Sequence, residues 1–258
     1  EPLQLNYLAN EGVAVFHDNT TVLFDPLFKE SYGTYHLPDP ATRSALLSGQ
    51  TPYTSVDAVF VSHHHGDHFD PADMLELMNT HKNAQLYAPA QATAAMQQQS
   101  PKRFETIKDR VTGLDLNYDS PAQLFNHGTL LIEAFFVPHS GWPTARTDVQ
   151  NIAFRVSIDG KLTVAHFGDA DPNLVHFERH KNAWLQRTTA AALPPYWFFT
   201  SRDGKQILSE FVRPANVIGV HVPAKFSQPA DLPEELREFD LFLKPGAVRV
   251  LSHDDHSH

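Results

Sequence analysis

The segment Ser62-His63-His64-His65-Gly66-Asp67-His68 alternates imidazole and carboxylate donors within a few residues. That pair of ligand types suits zinc, with iron or manganese as substitutes. In an extended stretch, side chains two residues apart point the same way. His63 and His65 can therefore converge on one ion while His64 points elsewhere. Gly66 permits a sharp turn, after which Asp67 and His68 face a second position close by. A His-rich tract is more often a solvated surface. The ordered pattern His-x-His-x-Asp-His, set between a buried strand and a capped helix, argues for a metal site instead.

The flanking elements must hold that loop. Residues 56–61 (Val-Asp-Ala-Val-Phe-Val) read as a short buried strand that runs straight into the motif. Asp70-Pro71 then supplies an N-cap and a proline at the first helical position, which predicts a helix through about Thr80. Three further candidates share one address, the C-terminal end of an apolar strand. His139 follows Phe135-Phe136-Val137-Pro138, Asp169 follows Val164-Ala165-His166-Phe167-Gly168, and His221 lies in Val217-Ile218-Gly219-Val220-His221-Val222-Pro223. Each alone is weak, but their common placement points to a shared site.

Elsewhere, residues 12–17 and 21–25 read as strands around an Asp18-Asn19 turn. Residues 29–53 read as an extended loop with one short helix. Residues 85–88 predict a strand and 90–99 a helix. Strands are expected at 130–137, 152–158 and 162–167, the last two joined by an Asp159-Gly160 hairpin turn, and again at 217–222. Many strands with interspersed helices indicate a layered α/β protein containing hairpins, not a purely parallel doubly wound sheet.

Composition narrows the function. A net charge of −10 disfavours nucleic acid and anionic lipid, which need clustered Lys and Arg. A small-molecule substrate is expected, because bound cations can reverse the potential inside a pocket. No cysteine is present and histidines number 16, so any metal chemistry falls to His and carboxylate. Hydrophobic residues form 41% of the 258-residue chain, enough for a substantial core. No apolar run approaches the roughly 18 residues of a membrane span. Without a repeat or linker, residues 1–258 read as a single domain with a mobile tail from about 252. That tail, His253-Asp254-Asp255-His256-Ser257-His258, has adventitious metal affinity at most. The chain opens on Glu1 instead of methionine; a removed signal peptide accounts for this, as does trimming, and the slight preference is for export.

Taken together, the His-x-His-x-Asp-His motif, the later Pro138-His139, Gly168-Asp169 and final His221 resemble the metallo-β-lactamase superfamily, in that family's order. The resemblance runs from Gly12 to about Lys225. It implies a four-layer αββα sandwich with metals at one edge of the two sheets. It implies His63, His65 and His139 on one ion, Asp67, His68 and His221 on the other, and Asp169 bridging. Leu23-Phe24-Asp25-Pro26 and His221-Val222-Pro223 look most like the ascorbate-phosphate lactonase-like branch. A bridging Asp, where class B β-lactamases have Cys or no bridge, disfavours antibiotic hydrolysis. Flavodiiron oxidoreductases are similar but carry Glu at the second His position, so His65 favours hydrolysis over oxygen reduction. Residues 172–211 match no pattern of the family.

The expected function is hydrolysis of an ester-like bond, lactone or phosphodiester, by a dinuclear site holding two divalent ions, zinc foremost. Two ions roughly 3.5–4 Å apart can share a hydroxide and make it nucleophilic near neutral pH. Asp67 would serve as ligand and orienting base. The alternatives are an iron-dependent oxidoreductase on the same scaffold and a non-catalytic metal-binding relative. Asp25 is either a partner that fixes a ligand imidazole or an ordinary turn Asp before Pro26. His64 and His166 could donate a proton to a leaving group, but a structural or exposed role is expected. Tyr32, Tyr35 and His36 read as a local packing patch that could line the pocket. Tyr196-Trp197-Phe198-Phe199 reads as a core strand.

Overall fold

The computed structural model describes residues 2–252; the His- and Asp-bearing stretch 253–258, expected as a metal-binding tail, lies outside the described residues. The chain divides into two compact units. One comprises the described residues up to Asp115 with Lys244–Leu251, and the other comprises Leu116–Leu243 with Ser252.

The first unit begins with β1 (Leu3–Ala9), β2 (Gly12–His17) and β3 (Thr20–Phe24), paired antiparallel in sequence order. In β1, Leu3, Leu5 and Tyr7 are buried while Gln4 and Asn6 are partly exposed, the period-two pattern of a strand with one face inward. After α1 (Pro40–Ser48) the chain alternates β4 (Ala58–Phe60), α2 (Pro71–Thr80), β5 (Gln85–Pro89), α3 (Ala90–Gln99), α4 (Pro101–Ile107) and β6 (Val111–Leu114). Strands β3 to β6 pair in parallel. The strand Val248–Leu251 adds to β1, giving the sheet order Val248–Leu251, β1, β2, β3, β4, β5, β6. Every residue of β4 is buried, as befits a central parallel strand with both faces covered, and this is why it reads as an unbroken apolar run. Leu23, Val59, Met74, Leu77 and Met96 are part of the core beneath α2 and α3.

The second unit holds β7 (Gln123–His127), β8 (Leu130–Phe136), β9 (Ile152–Ile158) and β10 (Leu162–His166) as an antiparallel meander. Two parallel strands follow, β11 (Thr189–Leu193) and β12 (Pro214–Val217), giving the order β12-β11-β10-β9-β8-β7. The β9–β10 turn carries Asp159 at φ 56° and Gly160 at φ 64°, the two positive φ values that a tight hairpin turn demands. Phe135, Phe167, Phe177, Trp184 and Phe198 pack as its core. Arg155 is fully buried, and its guanidinium pairs with both oxygens of Glu133, at 2.7 and 2.9 Å. It also donates to the carbonyls of Ala183 and Trp184, so no donor of this core charge faces apolar atoms alone.

The mixed α/β class with hairpins stands as expected. The helix after the motif spans Pro71–Thr80, and the Asp70 carboxylate accepts the Asp73 N–H at 2.9 Å, a cap worth about 1 kcal/mol. Two expected strands need correction. Residues 196–199 form a single 3-10 turn, Tyr196–Phe199, closed by the Phe198 N–H to the Pro195 carbonyl; aromatic residues there signal burial, not extension. The expected strand 217–222 shares only Val217 with β12. Beyond it His221 adopts φ 68°, which an extended ladder does not accommodate. Among the described residues no helix is long and apolar enough to cross a membrane.

Candidate metal centre

The loop after β4 leaves the carboxyl end of a parallel strand, where side chains of neighbouring loops can converge. The His63 ring lies 4.9 Å from that of His65 and 4.0 Å from that of His68, centroid to centroid. His63, Asp67 and His68 are buried, and His64 and His65 are half-buried. Gly66 opens the turn anticipated, closed by the His68 and Phe69 N–H groups on the His65 carbonyl at 3.1 and 3.0 Å, without a left-handed φ. A Cβ at this position would sit 2.8 Å from Glu30 Cγ, and the Gly66 carbonyl accepts the Glu30 N–H at 3.1 Å. Absence of a side chain lets the loop after β3 pack on the motif.

The proton positions follow from one buried carboxylate. Asp25, fully buried just after β3, accepts the Ser62 N–H on Oδ1 at 2.7 Å and the Ser62 hydroxyl on Oδ2 at 2.6 Å. It also meets His68 Nδ1 at 2.9 Å. A carboxylate only accepts, so His68 carries its proton on Nδ1 and presents the Nε2 lone pair. The Ser62 hydroxyl has one proton, and Asp25 takes it. Ser62 Oγ, 2.8 Å from His63 Nδ1, therefore accepts from that nitrogen, and His63 also presents Nε2 as a lone pair. Asp25 thus fixes the orientation of two imidazoles, and Asp25, His63 and His68 offer donor atoms within 4.8 Å of one another.

Two residues of the β1–β2 turn belong to this loop and were not singled out in the sequence. Asn10 Nδ2 donates to the Asp67 carbonyl at 2.9 Å and to Asp67 Oδ2 at 3.3 Å. Glu11, fully buried, brings Oε2 to 3.3 Å from His68 Nδ1. Burial, with the nearby Glu11 charge, raises the pKa of the Tyr7 phenol, whose hydroxyl donates to the Asn10 carbonyl at 2.9 Å. A buried Asn-Glu pair before Gly12 was the available signal.

The second unit brings its three candidates together. His139 Nδ1 lies 2.9 Å from the Ser140 carbonyl, an acceptor that places the proton on Nδ1 and leaves Nε2 as the lone pair. That Nε2 is 3.1 Å from Asp169 Oδ2, and His221 Nε2 is 3.1 Å from Asp169 Oδ1. The Asp169 N–H donates to Asn151 Oδ1 at 3.0 Å, and Asn151 Nδ2 donates to the carbonyls of Val137 and Phe167. Asn151 thereby ties the ends of β8 and β10 to one geometry.

These donor sets fit divalent ions on chemical grounds. Each of His63, His68 and His139 spends Nδ1–H on a fixed acceptor and aims a lone pair from Nε2. An Nε2 lone pair facing a carboxylate oxygen at 3.1 Å requires a positive charge at that place, a proton or a cation. The remaining candidates behave differently. His166 is fully buried and accepts the Gly168 N–H on Nδ1 at 3.4 Å. Tyr32 is 62% exposed, with its hydroxyl 3.2 Å from the position a Gly66 Cβ would take. Tyr35 and His36 are half-buried in the same loop.

The family model described as a beta-lactamase superfamily domain matches residues 20–202. A search of curated proteins returns no significant match. Among solved structures the chain is similar to Igni18, a metallo hydrolase from Ignicoccus hospitalis, at 17% identity and TM-score 0.62, covering 98% of this chain and 99% of that one. It is similar to a possible metal-dependent hydrolase from Veillonella parvula at 16% identity and TM-score 0.63, over 97% and 100% of the two chains. It is also similar to CmlA, a diiron beta-hydroxylase from Streptomyces venezuelae, at 15% identity and TM-score 0.53, over 97% of this chain and 54% of that one. At these identities the likeness is one of fold: mixed α/β, two sheets with helices, of the metallo-β-lactamase αββα type.

Proposed function

This chain belongs to the beta-lactamase superfamily, and on that premise we propose that it is a metal-dependent hydrolase acting on an ester-like bond, a lactone or a phosphodiester. The observation that carries the reading is the buried carboxylate of Asp25, which fixes the tautomers of His63 and His68 so that both offer Nε2. Such an arrangement costs a buried charge and contributes nothing to an apolar core, which is reasonable where the imidazoles have a ligand to hold.

His63, His65, Asp67 and His68 of the first unit, and His139, Asp169 and His221 of the second, are the residues that would hold divalent ions. Bound there, two zinc ions would supply Lewis acidity and an acidified water. The residues of the chain do the rest. Asp67 Oδ2, steadied by the Asn10 amide at 3.3 Å, would accept the proton of an attacking water and hold its lone pair toward the substrate. Asn151 and the Ser140 carbonyl would keep Asp169 and His139 from rotating as charge develops. No serine or cysteine nucleophile enters the scheme.

The test joins metal analysis to an activity screen. The chain is loaded with zinc or manganese, dialysed, analysed for metal, and assayed against lactones, phosphodiesters, thioesters and β-lactams. Two ions per chain with turnover of a lactone or phosphodiester is the expected result. One ion or fewer under zinc-replete conditions refutes the dinuclear site. Bound iron with substrate-dependent oxygen uptake refutes hydrolysis in favour of an oxidoreductase.

A further inference from the structure

Trp197 lies outside the donor sets, yet it touches the segments that carry two of them. Its 3-10 turn is anchored by the Tyr196 N–H to the Val220 carbonyl at 3.0 Å, the residue before His221. The indole Nε1–H donates to the Ala170 carbonyl at 2.9 Å, the residue after Asp169. The indole ring lies 5.2 Å from the His221 ring, tilted by 59°. Ala170 is in turn bridged to His139, with the Ser140 N–H on the Asp169 carbonyl at 2.8 Å.

His221 holds φ 68°, a left-handed conformation that a β-carbon resists, so it persists only where surroundings over-determine it. The surroundings include this indole. A rigid bicyclic side chain with one directional N–H can fix distance and angle together, which a flexible side chain cannot.

We propose that Trp197 is a positioning residue that sets the His221–Asp169 geometry for metal, and that its emission reports occupancy. This rests on the metal-dependent reading given above. The Nε1–H pulls the Asp169 segment to a fixed distance from the indole, and the ring face blocks rotation of the His221 imidazole. Nε2 of His221 is thereby kept at 3.1 Å from Asp169 Oδ1.

The experiment uses the full chain stripped of metal, as wild type and as Trp197→Phe. Phenylalanine keeps a ring against His221 but removes the N–H. Zinc is titrated against a chelator of known affinity, with tryptophan emission followed in parallel. The expected result is roughly ten-fold weaker binding of the more labile ion, the scale typical of a lost supporting hydrogen bond, and loss of most of the zinc-dependent emission change. Two-fold or smaller change in affinity with the emission response intact overturns the positioning role while leaving the metal reading standing. Failure of the wild type itself to bind zinc overturns the metal reading, and the proposal with it. Should the variant not fold, as judged by far-UV circular dichroism, the wild type, Trp142→Phe and Trp184→Phe decide. A zinc response retained in both single variants supports Trp197 as the reporter, and a response lost in either of them, or a wild-type emission indifferent to stoichiometric zinc, overturns it.

Discussion

Replacing Asp25 by Asn should invert the tautomers of two imidazoles while leaving the shape of the site almost unchanged. An amide offers one acceptor oxygen and one NH2 donor. With its oxygen kept on the Ser62 N–H, the NH2 takes the place of Oδ2, where the Ser62 hydroxyl and His68 Nδ1–H both donate, at 2.6 and 2.9 Å. Relief requires the proton of His68 to move to Nε2. It also frees the Ser62 hydroxyl to turn its proton on His63 Nδ1, 2.8 Å away, driving the His63 proton to Nε2 as well. Both nitrogens proposed as ligands would then carry hydrogen. Restoring them to bind metal costs about 1.4–2.7 kcal/mol, equivalent to a ten- to hundred-fold loss of affinity. Three charge-assisted bonds weakened by about 1 kcal/mol each would lower stability by about 3 kcal/mol, a fall in Tm on the order of 10 °C. Chelator competition gives the affinity, calorimetry of the metal-stripped protein gives the stability, and long-range ¹⁵N–¹H correlation of the imidazoles reads the tautomers. Zinc affinity within two-fold of wild type, with His63 and His68 still protonated on Nδ1, would refute the reasoning.

Other perturbations probe the rest of the site. His63→Ala should remove metal and turnover, whereas His64→Ala should change either by less than about three-fold, since His64 is not among the proposed ligands; equal damage in kinetic assays would show the loop to be misread. Asp67→Ala should abolish most turnover while Tm falls by only a few degrees, because the substitution removes the Asn10 amide's bond to Oδ2, worth about 1 kcal/mol, and leaves its bond to the Asp67 backbone carbonyl in place. Asp169→Asn keeps shape but removes a charge, so a metal titration should show both ions weakened, one more than the other, with excess zinc restoring part of the activity. Glu11→Gln removes a buried negative charge 3.3 Å from His68 Nδ1, and chelator competition should show zinc bound several-fold more weakly.

Short-range order made much of the chain legible. The donors of residues 63–68 are contiguous, so residue type alone marks them as candidates, and the Asp70-Pro71 cap announces α2 because capping is a local hydrogen bond. Apolar runs likewise locate β4, β8, β9 and β10 through burial on both faces. The proton logic of the site is another matter. Asp25 reaches Ser62 across 37 positions of sequence and His68 across 43, and Asn10 reaches Asp67 across 57. Nothing in the local pattern distinguishes an Asp before a proline that anchors two imidazoles from one that merely ends a strand. Aromatic and apolar runs record burial but not backbone conformation, so the Tyr196–Phe199 turn and the left-handed His221 emerged only when Pro195, Val220 and Ala170 supplied their hydrogen-bond partners. Sequence supplied candidate side chains for the chemistry. The tertiary structure decided which nitrogen of each imidazole carries the proton, because a tautomer is set by whatever that nitrogen meets in space.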